Sequence, residues 1–218
     1  MPITATFSTC AYDPATGEVG VGVQSKYFAV GAIVPWVAAD AGAIATQAWA
    51  NTGFGWRGLQ MIREGVAPEA IIGRLLDGDE RPSYRQVGIV DLQGRVANYT
   101  GEDCQEWAGA ATGERFTCQG NLLTGPEVVE GMARAMAESE GEPLAERLMG
   151  SLEAGQAAGG DRRGQQSAAI VIAVAGRGEP GFDDKRLNLR VDDHPAPIAE
   201  LRRLVEIARE AGAIPARG

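Results

Sequence analysis

The sequence predicts an α+β protein in which antiparallel sheets carry helices on their outer faces. Segments whose apolar residues recur at every second position, as in strands, occur in groups that alternate with pairs of segments of helical period. This grouping fits neither a strict βαβα order nor an all-β meander. The chain has 30 glycines in 218 residues, about twice the average share of ~7%, and their spread through the strand segments indicates close backbone packing. We expect one domain over residues 1–218.

The first half of the chain contains two predicted hairpins with a helix pair between them. Residues 5–12 and 18–24 alternate as strands do and are joined by the turn sequence DPATG, which predicts the first hairpin. Pro68 stands where helices tolerate proline, in a first turn. The other segments predicted here are strands at 32–38 and 43–48, helices at 56–62 and 68–76, and a second hairpin formed by 85–91 and 95–99.

The second half repeats this order and ends in a helix. We predict a strand at 114–119, helices at 126–137 and 143–154, a strongly apolar strand at 166–174, an edge strand at 187–191 and a final helix at 195–211. Residues 155–166 (GQAAGGDRRGQQ) resemble a linker in composition, but an aspartate and two arginines make them an unusual one. A single domain is therefore the better interpretation.

The composition excludes several classes of function. The formal net charge is −9 and the pI is about 4.7, whereas binding to nucleic acid or to an anionic membrane requires a basic surface. One histidine, and three cysteines without a CxxC pair, argue against His-rich or Cys-rich metal sites and against a disulfide scaffold. The N-terminal residues MPITATFSTC do not resemble a signal peptide, and no apolar run approaches the ~20 residues of a membrane span. We expect a cytoplasmic protein that binds a small molecule, with no cofactor, metal, nucleic acid or membrane partner.

The single histidine, His194, lies in the sequence VDDHPAP, directly before the last predicted helix. We expect Asp192 or Asp193 to cap this helix and Pro195 to occupy its first turn. A metal or catalytic site built on the DDH sequence is the alternative. A Ser-His-Asp triad would depend on this one histidine, and the sequence lacks the GxSxG motif.

Hydroxyl side chains on the first strand are the remaining candidates for nucleophilic chemistry. Alternation along this strand places three reactive side chains on one face: Thr6, Ser8 and Cys10. Ser25 and Lys26 end the second strand, and a lysine there is able to lower the pKa of a nearby hydroxyl. The alternative is that β-branched threonines suit strands and that Lys26 is a solvated strand end.

Polar residues also collect near the ends of two later strands, where binding sites are common. The turn into the strand at 166–174, with the start of that strand, supplies Asp161, Arg162, Arg163 and Ser167. The strand at 114–119 leads into Gln119, Gly120 and Asn121. The arginine pair could bind a substrate carboxylate, or it could form only a surface ion pair with Asp161.

Several blocks, spread over nearly the whole chain, carry a family resemblance. They are TFSTCAYDPATGEVGVGVQSKYFAVGA, AIATQAWAN, RQVGIVD, CQEWAG, QGNLL, LEAGQAAGGDRRGQQSAA and NLRVDDHPAPIAELRRL. In these blocks the chain resembles the bacterial domain of unknown function DUF1028, which is placed in the N-terminal nucleophile (Ntn) hydrolase superfamily. The resemblance implies a four-layer αββα sandwich, in which two antiparallel sheets pack face to face between helix layers.

The resemblance also implies a mechanism. Ntn hydrolases use an N-terminal Thr, Ser or Cys as nucleophile and its own α-amine as base, so no histidine is needed. Thr6 matches the nucleophile by beginning the first strand, and Lys26 resembles the residue that tunes it. Five residues precede Thr6, so its α-amine exists only after cleavage of the bond before it. Cleavage before Cys10, or a prolyl amine at Pro2, are lesser alternatives.

The remaining roles follow the same resemblance. Gln119 and Asn121 lie where the superfamily often supplies oxyanion donors, and Asp161 and Ser167 resemble residues that support the amine. The candidate catalytic residues are therefore Thr6, Ser8, Lys26, Asn121 and Asp161. The candidate substrate-binding residues are Ser25, Gln119, Arg162, Arg163 and Ser167.

Two functions remain open at this point. The first is an Ntn-type amidohydrolase that acts on a small amide or peptide-like metabolite through Thr6. The second is an unprocessed, non-catalytic Ntn-like scaffold that binds a small ligand or serves in assembly. Because Ntn relatives commonly self-associate, we also expect a homo-oligomer, most simply a dimer.

Overall fold

A computed structural model describes residues 6–176 and 184–214 of the chain. Within these residues it contains ten strands and five α-helices. The strands are β1 (Thr6–Asp13), β2 (Glu18–Ser25), β3 (Pro35–Ala38), β4 (Gly42–Ala48), β5 (Arg85–Asp91), β6 (Val96–Thr100), β7 (Gly109–Gly113), β8 (Phe116–Gly120), β9 (Ser167–Ala173) and β10 (Lys185–Val191). The helices are α1 (Gly53–Arg63), α2 (Pro68–Asp77), α3 (Glu127–Glu138), α4 (Leu144–Ala157) and α5 (Pro197–Glu210).

The strands form two antiparallel sheets. The larger sheet has the order β10-β9-β2-β1-β8-β7, and the smaller sheet has the order β3-β4-β5-β6. β1 and β2, joined by a tight turn, lie at the centre of the larger sheet, with β8 and β9 on either side of them. The start of β1 is therefore surrounded by strands from distant parts of the chain.

The two sheets pack against each other, and each carries helices on its other face. β1 and β2 contact β4, and β8 contacts β5, across the space between the sheets. Helices α3, α4 and α5 pack on the larger sheet, while α1 and α2 pack on the smaller sheet. Each of the three spaces between these elements contains a buried apolar cluster.

The alternation of valine and glycine in β2 explains how close α4 can approach the sheet. Val19, Val21 and Val23 belong to the apolar cluster between the sheets. The intervening glycines face α4, where a Cβ on Gly20 would lie 2.9 Å from Cδ1 of Leu148. Larger residues at this position would push the helix away from the sheet.

The prediction of antiparallel sheets with helices on their outer faces is confirmed, as are both hairpins. Strand β7 (GAATG) was not predicted, because small residues on an edge strand give no apolar alternation. Helix α1 begins at Gly53 rather than at residue 56, and the segment predicted as a strand at 32–38 begins with a 3₁₀ turn at Val30–Ala32. Residue 5, predicted as the start of the first strand, lies outside the described residues.

The predicted cap of the last helix is wrong. Helix α5 begins at Pro197, two residues later than expected, and no side chain caps it. The carboxylate of Asp192 instead pairs with Arg190, and that of Asp193 accepts a hydrogen bond from Gln166. His194 accepts a bond from the backbone N–H of Ala196 through Nδ1 (3.0 Å), which orders the turn before the helix.

The described helices include none that is long and apolar enough to span a bilayer.

Leu148 tests the packing of α4 on the larger sheet, because it is fully buried against the glycine face of β2. We expect Leu148→Ala to lower the free energy of unfolding by about 3 kcal/mol through lost apolar contact and a residual cavity. Ile207→Ala is the matched control, since Ile207 is 48% exposed, and we expect it to cost less than about 0.5 kcal/mol. Urea denaturation measures both; equal losses would contradict the packing.

Candidate functional site

Three hydroxyl residues lie side by side at one end of the larger sheet. Thr6 pairs directly with Ser25, and Ser25 pairs directly with Ser167, across β1, β2 and β9. Directly opposed residues of antiparallel strands share a face. Ser8, two positions along β1, bonds to Gln47 of the smaller sheet, so this face is the one between the sheets. We call Thr6, Ser25 and Ser167 the hydroxyl row; all three are fully buried.

The backbone of Thr6 is held by its neighbours on the other side. Its carbonyl oxygen accepts a hydrogen bond from the backbone N–H of Asn121 (3.0 Å) and another from Nε2 of Gln47 (3.3 Å). Asn121 directly follows β8, and Gln47 lies on β4 of the smaller sheet. The first residue of β1 is thus fixed from both sheets.

A network of buried amides joins the sheets at this end. It consists of Ser8, Gln47, Gln86, Gln119 and Asn121, each 0% exposed, and we call it the glutamine network. Ser8 donates to Oε1 of Gln47 (2.6 Å) and accepts from Nε2 of Gln119 (2.7 Å). Oε1 of Gln86 accepts from Nε2 of Gln47 (2.8 Å) and from Nδ2 of Asn121 (2.9 Å).

The glutamine network reaches the backbone as well. Nε2 of Gln86 donates to the carbonyl oxygens of Gly120 (2.7 Å) and Gly109 (3.2 Å) and to Oγ1 of Thr100 (2.9 Å). Gly88 leaves room for the network, because a Cβ there would lie 2.3 Å from Oε1 of Gln119. One atom is unsatisfied: Oδ1 of Asn121 is buried and has no hydrogen-bond partner in the described structure. An unpaired buried acceptor of this kind is costly, and a bound donor would remove that cost.

Backbone strain occurs at the same end of the sheets. Ala48, which follows Gln47, has φ +64°, and Leu122, which follows Asn121, has φ +54°. Residues other than glycine rarely adopt this region, and each instance costs about 1–3 kcal/mol. Such strain is typical of functional sites, and here it flanks the two residues that bind the carbonyl of Thr6.

Asp161 ties the turn before β9 to the end of β2. Its carboxylate accepts from the backbone N–H of Lys26 (3.0 Å) and pairs with the guanidinium of Arg163 (2.7 Å). The side chain of Lys26 is exposed, and its ammonium donates to the carbonyl of Gln165 (3.1 Å). The structure therefore brings Lys26, at the end of β2, next to Asp161 and Arg163 in the turn before β9. The described hydrogen bond of the Lys26 ammonium is formed with this turn and not with Thr6.

Ser167 has a positional role in addition to its place in the hydroxyl row. Its Oγ donates to the carbonyl of Tyr27 (2.5 Å) and accepts from the backbone N–H of Val30 (3.0 Å), which fixes the loop after β2. Arg162 is exposed, and its backbone N–H binds the carbonyl of Leu122 (3.0 Å). Of the predicted arginine pair, Arg163 is engaged by Asp161 and Arg162 presents its guanidinium to solvent.

The cysteines lie in environments that suppress their reactivity. Burial raises the pKa of the Cys118 thiol to about 12 and that of Cys104 to about 11. Burial also raises the pKa of Cys10, which is fully buried between the sheets. Because the thiolate is the reactive form, all three are poor nucleophiles near neutral pH. In the uncleaved chain, burial therefore disfavours attack by Cys10 on a substrate.

The sequence interpretation missed two residues at the centre of this site. Gln47 and Gln86 pair directly on β4 and β5 and face the larger sheet. The available signal was a glutamine inside each of two otherwise apolar strands, in TQA and RQVGIV. Within residues 6–176 and 184–214, no cluster of three or more His, Cys, Asp or Glu side chains could hold a metal ion.

Comparison with known protein families gives a clear result. The model described as "Family of unknown function (DUF1028)" matches residues 6–201. The chain belongs to the DUF1028 family. The matched range begins at Thr6 and includes every residue of the hydroxyl row and of the glutamine network.

A solved structure supports this assignment. The DUF1028 chain is similar to the crystal structure of a protein from Silicibacter pomeroyi that carries the same family designation, with 31% identity and a TM-score of 0.85. The similarity covers 94% of this chain and 89% of the other. No curated protein matches the sequence.

Gln86 tests whether the glutamine network holds the sheets together. We expect Gln86→Leu to lower the free energy of unfolding by about 3 kcal/mol, because it leaves several buried donors and acceptors without partners. Gln60→Leu, at an exposed position of α1, is the control and should change stability little. Chemical denaturation compares the two, and a neutral Gln86→Leu variant would contradict the proposed importance of the network.

The thiols provide a second test of the site. At pH 8 we expect none of the three cysteines of the folded protein to react rapidly with a chromogenic disulfide reagent, since the thiolate fraction of each is small and access is poor. After unfolding in guanidinium, all three should react at the rate of a free thiol. A fast equivalent in the folded state would reveal an activated cysteine and would reopen the cysteine alternative.

Proposed function

We propose that this DUF1028 protein is an Ntn-type amidohydrolase for a small amide or peptide-like metabolite, with Thr6 as its nucleophile. The observation that carries the proposal is the hydroxyl row, in which Thr6 begins the central strand beside Ser25 and Ser167, next to an unsatisfied buried acceptor on Asn121. The proposal includes the four-layer αββα sandwich of the Ntn superfamily as the fold that these sheets and helices form.

The proposed reaction begins with hydrolysis of the peptide bond before Thr6, in which water supplies a hydroxyl to the carbonyl carbon of the preceding residue and a proton to the nitrogen of Thr6, leaving an α-amine. This amine accepts the proton of Oγ as Oγ attacks the substrate carbonyl carbon. The C–N bond of the tetrahedral intermediate then breaks, and the amine delivers the proton to the leaving nitrogen. Water hydrolyses the resulting ester with the same amine as base, which releases the acid and restores Thr6.

Asn121 has two features that support this chemistry. Asn121, whose backbone N–H binds the carbonyl of Thr6, has an unsatisfied Oδ1, and an α-amine at Thr6 is the donor that we propose for it. One hydrogen of Nδ2 is directed at Gln86, which fixes the side-chain amide. Its second hydrogen would then serve as a preorganised oxyanion donor.

The other predicted residues have supporting roles in the proposal. Ser25 and Ser167 line the site beside the nucleophile, while Ser8 and Gln119 maintain the glutamine network behind it. Asp161 and Lys26 order the neighbouring turn. Arg162, whose guanidinium is exposed, remains the candidate for recognition of a substrate carboxylate.

The non-catalytic scaffold is the second candidate, and the burial of Thr6 favours it. With its preceding peptide bond intact, Thr6 is 0% exposed and has no amine to act as base. In this form the DUF1028 chain would bind a ligand without turning it over. Assembly as a homo-oligomer, such as a dimer, is compatible with either candidate and is part of both proposals.

Replacement of Thr6 tests the nucleophile. For any amide that the wild type hydrolyses, we expect Thr6→Ala to reduce kcat/KM by at least about 10³-fold. We expect Thr6→Ser to retain measurable turnover because it keeps a hydroxyl nucleophile at this position. Thr16→Ala, in the exposed turn after β1, is the matched control and should retain full activity. Full turnover by Thr6→Ala would exclude the assignment, and ligand-induced melting shifts in both proteins without turnover would favour the scaffold.

A further inference from the structure

A small pocket lies at the end of β4, between the residue before β5 and the loop after β6. Its volume is about 100 Å³. It is lined by Ala48, Trp49, Tyr84, Asp103, Cys104 and Gln105, and we call it the Trp49 pocket. Since a water molecule occupies about 30 Å³ of liquid volume, this space suits a group of only a few heavy atoms.

Two residues that line the Trp49 pocket are linked to Thr6 through neighbouring residues and hydrogen bonds. Ala48 follows Gln47, whose Nε2 donates to the carbonyl of Thr6. On the other wall, the carbonyl of Gln105 accepts from the backbone N–H of Leu122 (2.8 Å). Leu122 follows Asn121, whose own N–H binds the same carbonyl of Thr6. Two lining residues of the pocket are therefore linked, through Gln47 and through Leu122 and Asn121, to the carbonyl of Thr6.

The indole of Trp49 is held rigidly. Its ring packs against that of Tyr84, with the centroids 5.2 Å apart, and the guanidinium of Arg81 lies 5.1 Å from its centroid. Its backbone N–H donates to the carbonyl of Tyr84 (3.2 Å), and its carbonyl accepts from Arg85. Arg85 is in turn paired with the buried carboxylate of Asp79 (2.9 Å). The orientation of the ring is thus determined by contacts on several sides.

One polar atom of Trp49 has no partner in the described structure. Nε1 is buried, yet no hydrogen bond is formed to it. The contrast is Trp36, whose Nε1 donates to the carbonyl of Ile33 (3.0 Å). A buried donor without an acceptor is unfavourable, and a rigid one costs little reorganisation when an acceptor arrives. The indole N–H of Trp49 is therefore a preorganised donor for a carbonyl oxygen.

The charges around the pocket favour an uncharged group. Burial raises the pKa of Cys104 to about 11, so its thiol is neutral at physiological pH. Asp103 adds a carboxylate to the lining, held by Oγ of Ser83 (2.6 Å), and it would repel an anion. Two basic groups lie beside Trp49: Arg85 is paired with Asp79, and Arg81, over the Trp49 ring, adds one positive charge that offsets the negative charge of Asp103.

We propose that the Trp49 pocket is a substrate subsite that receives a short neutral carbonyl group, such as a carboxamide or an acetamide, whose oxygen accepts the indole N–H of Trp49. Binding of a carbonyl group in the Trp49 pocket does not depend on the proposed hydrolase function. The role of the pocket as a subsite for substrate specificity does rest on that function. The expected substrate is then an amide that carries such a group a few atoms from the bond cleaved at Thr6.

The indole N–H signals of the full-length protein test the binding chemistry directly. The chain has 4 tryptophans, so ¹H–¹⁵N spectra contain few indole signals, and Trp49→Phe and Trp56→Phe assign two of them. Titration with acetamide should move the Trp49 signal saturably and leave the Trp56 signal, from a ring that is 55% exposed, in place. Acetate at equal concentration should bind at least about tenfold more weakly, the usual size of one hydrogen-bond or charge discrimination. No saturable Trp49 shift, or equal binding of acetate, would overturn the subsite.

A second arm separates this proposal from the hydrolase function. The titration is repeated with Thr6→Ala, and substrates with and without an acetamide group are compared on wild type, Trp49→Phe and Trp56→Phe. A persistent Trp49 shift with no turnover by any protein would contradict the hydrolase and support the pocket as a binding site. Turnover that depends on Thr6 while Trp49→Phe leaves KM for the acetamide substrate unchanged would contradict the subsite alone. A KM raised about tenfold by Trp49→Phe, and unaltered by Trp56→Phe, is the result we expect.

Discussion

Buried amides must find hydrogen-bond partners, and this requirement governs the end of the molecule where β1 begins. Gln86 of the smaller sheet reaches the carbonyl of Gly120 in the larger one, and Gln47 reaches the carbonyl of Thr6. These bonds connect the two sheets at the end where β1 begins, and an apolar cluster fills another part of the space between the sheets. Since the network is fully buried, loss of one member leaves its partners unsatisfied, so the site is rigid as a unit.

The same network holds the side chains of the candidate site in place. The hydroxyl row is fixed by strand register, and Asn121 is fixed by Gln86 and by the backbone of Thr6. Two buried atoms have no partner in the described structure: Oδ1 of Asn121, within the network, lacks a donor, and Nε1 of Trp49, outside it, lacks an acceptor. An amine and a carbonyl group are the complementary chemistries, and both fit the amide-cleaving site that we propose.

Local sequence patterns predicted the parts of this site that depend on strand period. Alternation in β1 assigned Thr6 and Ser8 to one face, and the turn sequence predicted the hairpin that sets Thr6 against Ser25. Contacts between the sheets could not be predicted, because a strand period does not reveal which residue of a distant strand lies opposite. Gln47 and Gln86 were missed for that reason. The ammonium of Lys26 was expected near the nucleophile, but it binds Gln165, because the residue after β2 turns outward.

The central claim is that Thr6 becomes the first residue of the working protein. Intact mass and N-terminal sequencing of freshly purified, untagged protein measure this directly. The account predicts a chain that begins at Thr6, with the α-amine that its nucleophile requires. A chain that keeps the residues before Thr6, in a preparation that hydrolyses amides, would contradict the account and would require a different nucleophile.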